Sequence, residues 1–308
     1  MLAIITSYFN PTRCKNRLEN YNKFKKQIEE HARKYDAKLF TIELVSDNGN
    51  FELNPKTTRQ IRSNSLMFQK ERMLNILIDS LPEKYESVCW IDCDIIYLEQ
   101  DWPAKIEESL KDHVVIQPYK YAVSLPNCNN SFINEGTLSY HNSSGSGLIR
   151  RSFASYAKKD NMKDLHKGHV GYAWAARRDF IQKHKLYDPI ITGCGDLFMA
   201  IAFFGIPGWI EKYSFIGSEA EFHFFDWAFP VSEDVKDNVG FTDDLIMHLW
   251  HGDIDKRNYL KHSECLKSCN FNPNIDLKKS ENGCWEWNSD NFELHQKIQQ
   301  IFNSQHQV

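Results

Sequence analysis

The sequence has no surplus of positive charge: 37 Lys and Arg stand against 41 Asp and Glu, a formal net charge of −4 at pH 7. A phosphate backbone therefore has little to bind, and nucleic acid is not expected as a partner. An anionic ligand would need a local positive site or a metal ion. Long apolar runs are also missing. Nothing approaches the roughly 18 apolar residues of a membrane-spanning helix. The opening "MLAIITSYFNP" is too short, and lacks the basic flank, for a signal peptide. A soluble, cytoplasmic protein with no transmembrane segment is expected. Cysteine is sparse, with eight in 308 residues and no CxxC pair beside Cys265 and Cys269. That excludes a disulfide scaffold and leaves reduced thiols, mostly in the core. No internal repeat and no clear linker divides the chain.

What is present is ordinary globular material, 42% hydrophobic and 25% charged. "LAIIT", "AKLFTIELV" and "ESVCWID" read as strands, with helix-prone segments over about 16–35 and 64–81 between them. Alternation of strand and helix predicts a mostly parallel sheet with helices on its faces. Further on, "HVVIQP" reads as a strand and "GHVGYAWAARRDFIQKH" as a strand entering a helix. "GCGDLFMAIAFFG" reads as a turn entering a helix, and "DDLIMHLWHG" as a late strand. Residues 124–147 are rich in Asn, Ser and Gly and form a long loop, a candidate lid with Gly136, Gly145 and Gly147 as hinges. Residues 261–308 read as a polar tail with one helical segment near its end.

Four stretches carry chemistry. In "CWIDCDIIY", Asp92 and Asp94 interrupt an apolar strand. Residues i and i+2 of a strand face the same way, so both acids would project together from its end. Ligands of open α/β sheets bind at such carboxyl ends, and two carboxylates there suit Mg²⁺ or Mn²⁺. A solvated strand end is the plainer alternative. "HLWHG" offers His248 and His251 as metal ligands. In a regular strand these would face opposite sides, so a bend is required, for which Gly252 is a candidate. "GCGD" sets Asp196 after Gly195, either as a helix cap or as a carboxylate able to take a proton from an attacking hydroxyl. Gly195, with Gly193, would let a ligand approach the backbone. Lys70 shares a helical stripe with Leu66, Met73, Leu74, Leu77 and Leu81, and needs an anion such as phosphate or a path to solvent.

Taken in order, these stretches resemble the GT-A glycosyltransferases. "SYFNPTR" looks like their first nucleotide-binding loop, and "LMFQKERMLNILIDSLPEKYESVCWIDCDIIY" looks like the helix and strand leading into the DxD motif. "GHVGYAWAARRDFI", "GCGDLFMAIAFFG" and "HLWHGDIDKRNY" are similar to the acceptor half of beta-1,4-galactosyltransferases and polypeptide GalNAc-transferases. The resemblance covers about residues 1–262. It implies a Rossmann-like GT-A domain with a nucleotide-binding half (1–100) and an acceptor half (101–262), followed by an extension (263–308) packed on it. It implies an inverting, metal-dependent hexosyltransferase moving sugar from a nucleotide-diphosphate donor, a UDP-sugar, to a hydroxyl of a glycan or glycoprotein.

Carried over by position, Asp94, His251 and His248 would be metal ligands for Mn²⁺ or Mg²⁺. Asp92 would lie near the donor ribose and metal, and Asp196 would be the base. Tyr8, Asn10 and Arg13 would meet the nucleotide. Asp47 is a candidate for the uracil or ribose, with Glu43 nearly equivalent. Trp174 could stack on an acceptor sugar or be buried. One departure stands out. The families have Glu-Asp-Asp where this chain has Gly195-Asp196-Leu197, so one carboxylate would serve both acceptor binding and proton removal, or share the work with another residue. An inactive glycan-binding or structural protein is an alternative, which the intact acids and histidine disfavour. A nucleotide-sugar pyrophosphorylase is disfavoured by a first loop without glycine, and a two-metal phosphohydrolase by too few ligands.

Overall fold

The computed structural model describes residues 1–125, 149–160, 167–213, 216–251 and 259–304. The candidate lid beyond Leu125 and the candidate bend at Gly252 lie outside the described residues. The first half contains β1 (Leu2–Phe9), α1 (Lys15–Lys34), β2 (Ala37–Ser46), β3 (Thr58–Ser63), α2 (Lys70–Ser80), β4 (Ser87–Ile91) and β5 (Ile95–Tyr97). There follow α3 (Trp102–Asp112), β6 (Val115–Gln117), β7 (Tyr121–Ser124), β8 (Ile149–Arg151), α4 (Phe153–Asp160), β9 (Ala173–Arg177), α5 (Arg178–His184), α6 (Gly195–Phe203), α7 (Ile210–Tyr213) and α8 (Ser218–Val235). The chain closes with β10 (Val239–Phe241), β11 (Leu245–His248), α9 (Tyr259–Ser268), α10 (Pro273–Asp276), β12 (Leu277–Lys279), β13 (Trp285–Trp287) and α11 (Phe292–Ser304).

Seven strands form the main sheet in the order β10-β6-β9-β4-β1-β2-β3. Among the described residues, only β9 runs against its neighbours in this sheet, pairing antiparallel with both β4 and β6. The architecture is one large domain with a mixed, mostly parallel sheet flanked by helices, consistent with a GT-A (Rossmann-like) fold. Alternation within β1 explains the layering. Leu2, Ile4 and Tyr8 enter one core with Tyr21, Phe24 and Ile28 of α1 and Trp102 and Ile106 of α3. Ala3 and Ile5 enter the other, with Met73, Leu74 and Leu77 of α2 and the apolar α6. Burial of such a side chain contributes about 1.5–3 kcal/mol, so a strand buried on both faces reads as a continuous apolar run.

A second sheet, β5-β11-β7-β8, has His248 at the end of β11, with Asp94 just before β5 and His251 just after β11. β11 pairs antiparallel with β5, setting His248 opposite Ile95, and the amide of Leu249 donates to Asp94 O at 2.9 Å.

Two expectations change here. α2 begins at Lys70 rather than near residue 64, so Lys70 is its first residue and not part of a mid-helix stripe. The polar tail is largely structured. Leu266, Phe271, Leu277, Cys284, Leu294, Ile298 and Phe302 are buried in the larger core, and β12 and β13 form a hairpin. Among the described residues, no helix is long and apolar enough to cross a membrane.

Candidate active site

β4 stops at Ile91, and the chain turns at once: the amide of Ile95 donates back to Asp92 O at 3.3 Å. Asp92 and Asp94 therefore sit on a tight turn and not on one strand face. They serve different partners. Asp94 Oδ2 lies 3.0 Å from His251 Nε2 and 3.6 Å from His248 Nε2. Asp92 Oδ1 takes Lys70 Nζ at 2.7 Å.

Asp94, His248 and His251 place one ligand atom each within 4.8 Å of one another, a group able to hold a divalent metal. The chain bends between the end of β11 and His251, and the two imidazole rings stand 5.1 Å apart and nearly perpendicular. Burial would raise the Asp94 carboxyl, but the two imidazoles outweigh it and hold the group well below the usual carboxylate range. Asp94 Oδ1 is buried without a hydrogen-bond partner among the described residues. An orphaned buried carboxylate oxygen beside two imidazoles is what a cation of the Mn²⁺ or Mg²⁺ class would satisfy.

Lys70 bridges to a second acid, with Nζ 2.9 Å from Asp196 Oδ2. Asp196 is not the helix cap: Cys194, in the left-handed region at φ 71°, occupies that position, and Asp196 lies in the first turn of α6. A carboxylate there also meets the positive end of the helix dipole. Burial alone would lower the Lys70 ammonium, but Asp196, Asp92 and Glu71 hold its pKa well above the ordinary value. Asp92 is pushed up to about 6, first by burial and then by repulsion from Asp196 and Asp94 against the pull of Lys70.

Glu71 was not anticipated from the sequence. It is 1% exposed, and burial pushes its carboxyl up to about 8, with Asp196 and Asp92 raising it and Lys70 lowering it. The folded form thus keeps a proton that the unfolded chain releases near its ordinary value of 4.5. Stability should fall as pH rises across the window from about 4.5 to about 8. Glu71→Gln removes that proton linkage. Urea denaturation should find the variant gaining on the wild type between pH 5 and pH 9; an unchanged difference would refute the assignment.

Gly195 packs against the same acid. A Cβ built there would lie 2.3 Å from Glu71 Cδ. The close approach that requires glycine is therefore to Glu71, whereas an acceptor ligand was the expectation. Gly195→Ala should cost about 1–3 kcal/mol by overpacking, read as a lowered thermal midpoint, and a wild-type midpoint would show that Glu71 can move aside. Over Asp196 the wall is Gly171, whose added Cβ would come 3.2 Å from Asp196 Oδ2. His169, also unanticipated, stacks on Tyr172 at 3.8 Å and accepts the Gly171 amide on Nδ1. Burial drives its pKa down to about 3, keeping it neutral. Tyr172 in turn lies 5.0 Å from the His248 ring.

The expected nucleotide residues gather at the carboxyl ends of β1 and β2. A small cleft there is lined by Asn10, Arg13, Glu43, Ser46, Asn50 and Glu52, among others. Tyr8 is buried, and its hydroxyl donates to Glu52 at 2.9 Å. The Asn10 amide donates to the same carboxylate at 2.9 Å, and Arg13 donates to Asn50 O at 2.7 Å. Glu43 is occupied internally, accepting from the amides of Glu52 and Leu53 and from Gln60. Asp47 is exposed, with its carbonyl taking Arg62 at 2.9 Å. Trp174 is fully buried: its indole N–H donates to Val170 O at 2.7 Å, and its ring packs on Phe203. Of the two readings open for it, the core residue is the one observed, and no sugar can stack on it.

No protein-family model matches the chain, and no curated protein matches it. Among solved structures it is similar to the catalytic domain of Drosophila beta1,4-galactosyltransferase 7 in complex with xylobiose, at 10% identity and a TM-score of 0.43, over 95% of this chain and 96% of that one. It is also similar to a glycosyltransferase involved in glycosylation of the major capsid of PBCV-1, at 10% identity and a TM-score of 0.33, over 85% and 98% of the two chains. A third similarity is to galactosyltransferase LgtC in complex with donor and acceptor sugar analogues, at 12% identity and a TM-score of 0.33, over 87% and 96%. At these identities the likeness concerns the course of the chain and transfers no residue role.

Proposed function

We propose that this protein is a metal-dependent glycosyltransferase that moves a hexose from a nucleotide-diphosphate donor, a UDP-sugar, to a hydroxyl of a glycan or glycoprotein acceptor. The observation that carries the reading is the adjacency of two clusters at the carboxyl end of β4. Asp94, His248 and His251 converge on one side of a tight turn, and Lys70, Asp92 and Asp196 converge on the other.

Asp94, His248 and His251 would hold Mn²⁺ or Mg²⁺, which supplies Lewis-acid charge to a leaving diphosphate. The cleft at Asn10, Arg13 and Glu52 offers polar groups for the nucleoside, with Tyr8 buttressing Glu52 from inside. Asp47, exposed beyond the end of β2, remains the candidate for the base or ribose. Lys70 holds two carboxylates in the free protein, and a diphosphate would compete for its ammonium. Transfer of Lys70 toward phosphate would release Asp196, whose carboxylate then accepts the proton of the attacking hydroxyl. Attack opposite the leaving group gives inversion in one displacement. Gly171 lacks the side chain whose Cβ would crowd Asp196 Oδ2 at 3.2 Å, so the approach of an acceptor to that carboxylate is not narrowed further there.

The test is a panel of nucleotide sugars assayed for Mn²⁺-dependent hydrolysis and for transfer to glycan acceptors. Turnover of at least one UDP-sugar is expected, and its loss on chelation. Binding without turnover across the panel would favour a glycan-binding protein instead. Formation of a nucleotide sugar from a sugar phosphate would favour a pyrophosphorylase.

A further inference from the structure

The C-terminal "CWEWN" stretch enters none of the chemistry above, yet it touches both arms that deliver the Lys70–Asp196 pair. The first arm is the irregular segment 64–69 leading into α2. Gln69, 1% exposed, closes a two-way clamp on Trp285: its Nε2 donates to Trp285 O at 3.1 Å, and the Trp285 amide donates to its Oε1 at 2.7 Å. The Trp287 amide donates to Ser65 Oγ at 3.1 Å on the same arm. The second arm is the loop 188–194 leading into α6. The Trp285 indole N–H donates to Asp188 O at 3.1 Å, while the Asp188 carboxylate takes Arg72 at 3.0 Å and Asn75 at 2.7 Å. Arg72 also donates to Gly283 O at 2.6 Å, and the Phe68 amide to Ile191 O at 3.0 Å. Gln69 immediately precedes Lys70, and its carbonyl accepts the amide of Met73 at 2.9 Å in the opening turn of α2.

We propose that the hairpin β12–β13 is a positioning element of the active site, with Gln69 and Trp285 as the positioning residues that keep Lys70 in reach of Asp196. The physical case is one of degrees of freedom. Lys70 begins a helix, so its backbone is fixed on one side only by what holds residue 69. Asp196 is the second residue of α6, which follows two residues, Gly193 and Cys194, with positive φ. Trp285 bonds to both arms, so neither can shift without the other. The kinetic part of the inference rests on the glycosyltransferase reading above.

The test compares Gln69→Ala with Leu294→Ala, a truncation in the buried face of α11 that removes core volume at a position outside both arms in the sequence. With both variants folded at the assay temperature, Gln69→Ala should lower kcat for transfer by about 10- to 100-fold, the range expected of a displacement near 1 Å. Its KM for the donor and its Mn²⁺ affinity should stay within about twofold of the wild type, as expected for loss of positioning rather than of donor binding. Leu294→Ala should keep the wild-type kcat. Equal kcat for both variants would overturn the proposal. If Gln69→Ala fails to fold, Trp285→Phe keeps the backbone clamp and drops only the indole bond to Asp188. A several-fold fall in its kcat at unchanged KM supports the proposal, and a wild-type kcat overturns it. Hydrogen exchange decides the matter even if wild-type protein turns over no nucleotide sugar, which would sink the enzyme reading alone. Amides 70–74 and 195–199 should exchange faster together in Gln69→Ala than in Leu294→Ala, and unchanged exchange at both would overturn the clamp.

Discussion

Asp94→Ala is expected to abolish metal-dependent turnover, by at least about 10³-fold in kcat/KM, while leaving the fold in place. Outer partners of metal ligands typically contribute about 10–100-fold, and a direct anionic ligand contributes more. A factor of 10³ corresponds to about 4 kcal/mol of transition-state stabilisation. The fold should tolerate the change because Asp94 Oδ1 has no hydrogen bond to lose among the described residues. Two measurements check this. Mn²⁺ titration followed by electron paramagnetic resonance should show the tight site lost, and thermal melting without metal should lie within a few degrees of wild type. Normal turnover in purified Asp94→Ala would end the metal assignment.

The second large effect concerns proton removal. Asp196→Asn should keep donor binding and lose transfer by about 10²–10⁴-fold, the usual worth of a positioned general base. The amide matches the carboxylate in shape, and Lys70 retains Asp92 at 2.7 Å, so the local structure should persist. The informative comparison is between donor affinity, expected unchanged by calorimetry, and the single-turnover rate of transfer. Transfer near the wild-type rate would place the base elsewhere. Glu71 is the next candidate by proximity, although its proton is already bound at neutral pH. Together the two variants separate the clusters on either side of the Asp92–Asp94 turn: one should lose metal and turnover, the other transfer alone.

How much of this could be read from the sequence depends on the range of the interactions. The buried strands "LAIIT" and "SVCWI" announce themselves because both faces are apolar. β3 carries no apolar run in sequence because "TRQIRS" is an edge strand with Ile61 as its single aliphatic residue. The start of α2 was misplaced because Leu66, Met67 and Phe68 extend its apolar pattern. The hairpin and Ile191 hold those residues in a non-helical course, and tertiary bonding overrides the local preference. The two acids of "CWIDCD" stand out in the sequence, but their different partners come from a turn that period-2 reasoning cannot see. His248 and His251 meet Asp94 because β11 pairs with β5 across about 150 residues of chain, a register no local pattern encodes. Glu71 and Gln69 are ordinary polar residues in sequence. Their close partners, Gly195 in one case and Trp285 in the other, are distant in sequence.

The packing of Phe9 at the end of β1 against Phe302 in α11, ring centroids 5.8 Å apart, bears on how the chain is made. A polypeptide leaves the ribosome N-terminus first, so β1 emerges long before α11 exists. Until then the larger core lacks Leu294, Ile298 and Phe302, and the segment before Lys70 has no hairpin to dock on. The nascent chain must therefore wait with apolar surface uncovered, a state prone to aggregation and suited to chaperone capture. Competence for chemistry would arrive in one late step, when the last helix and the hairpin settle onto a sheet begun by the first nine residues.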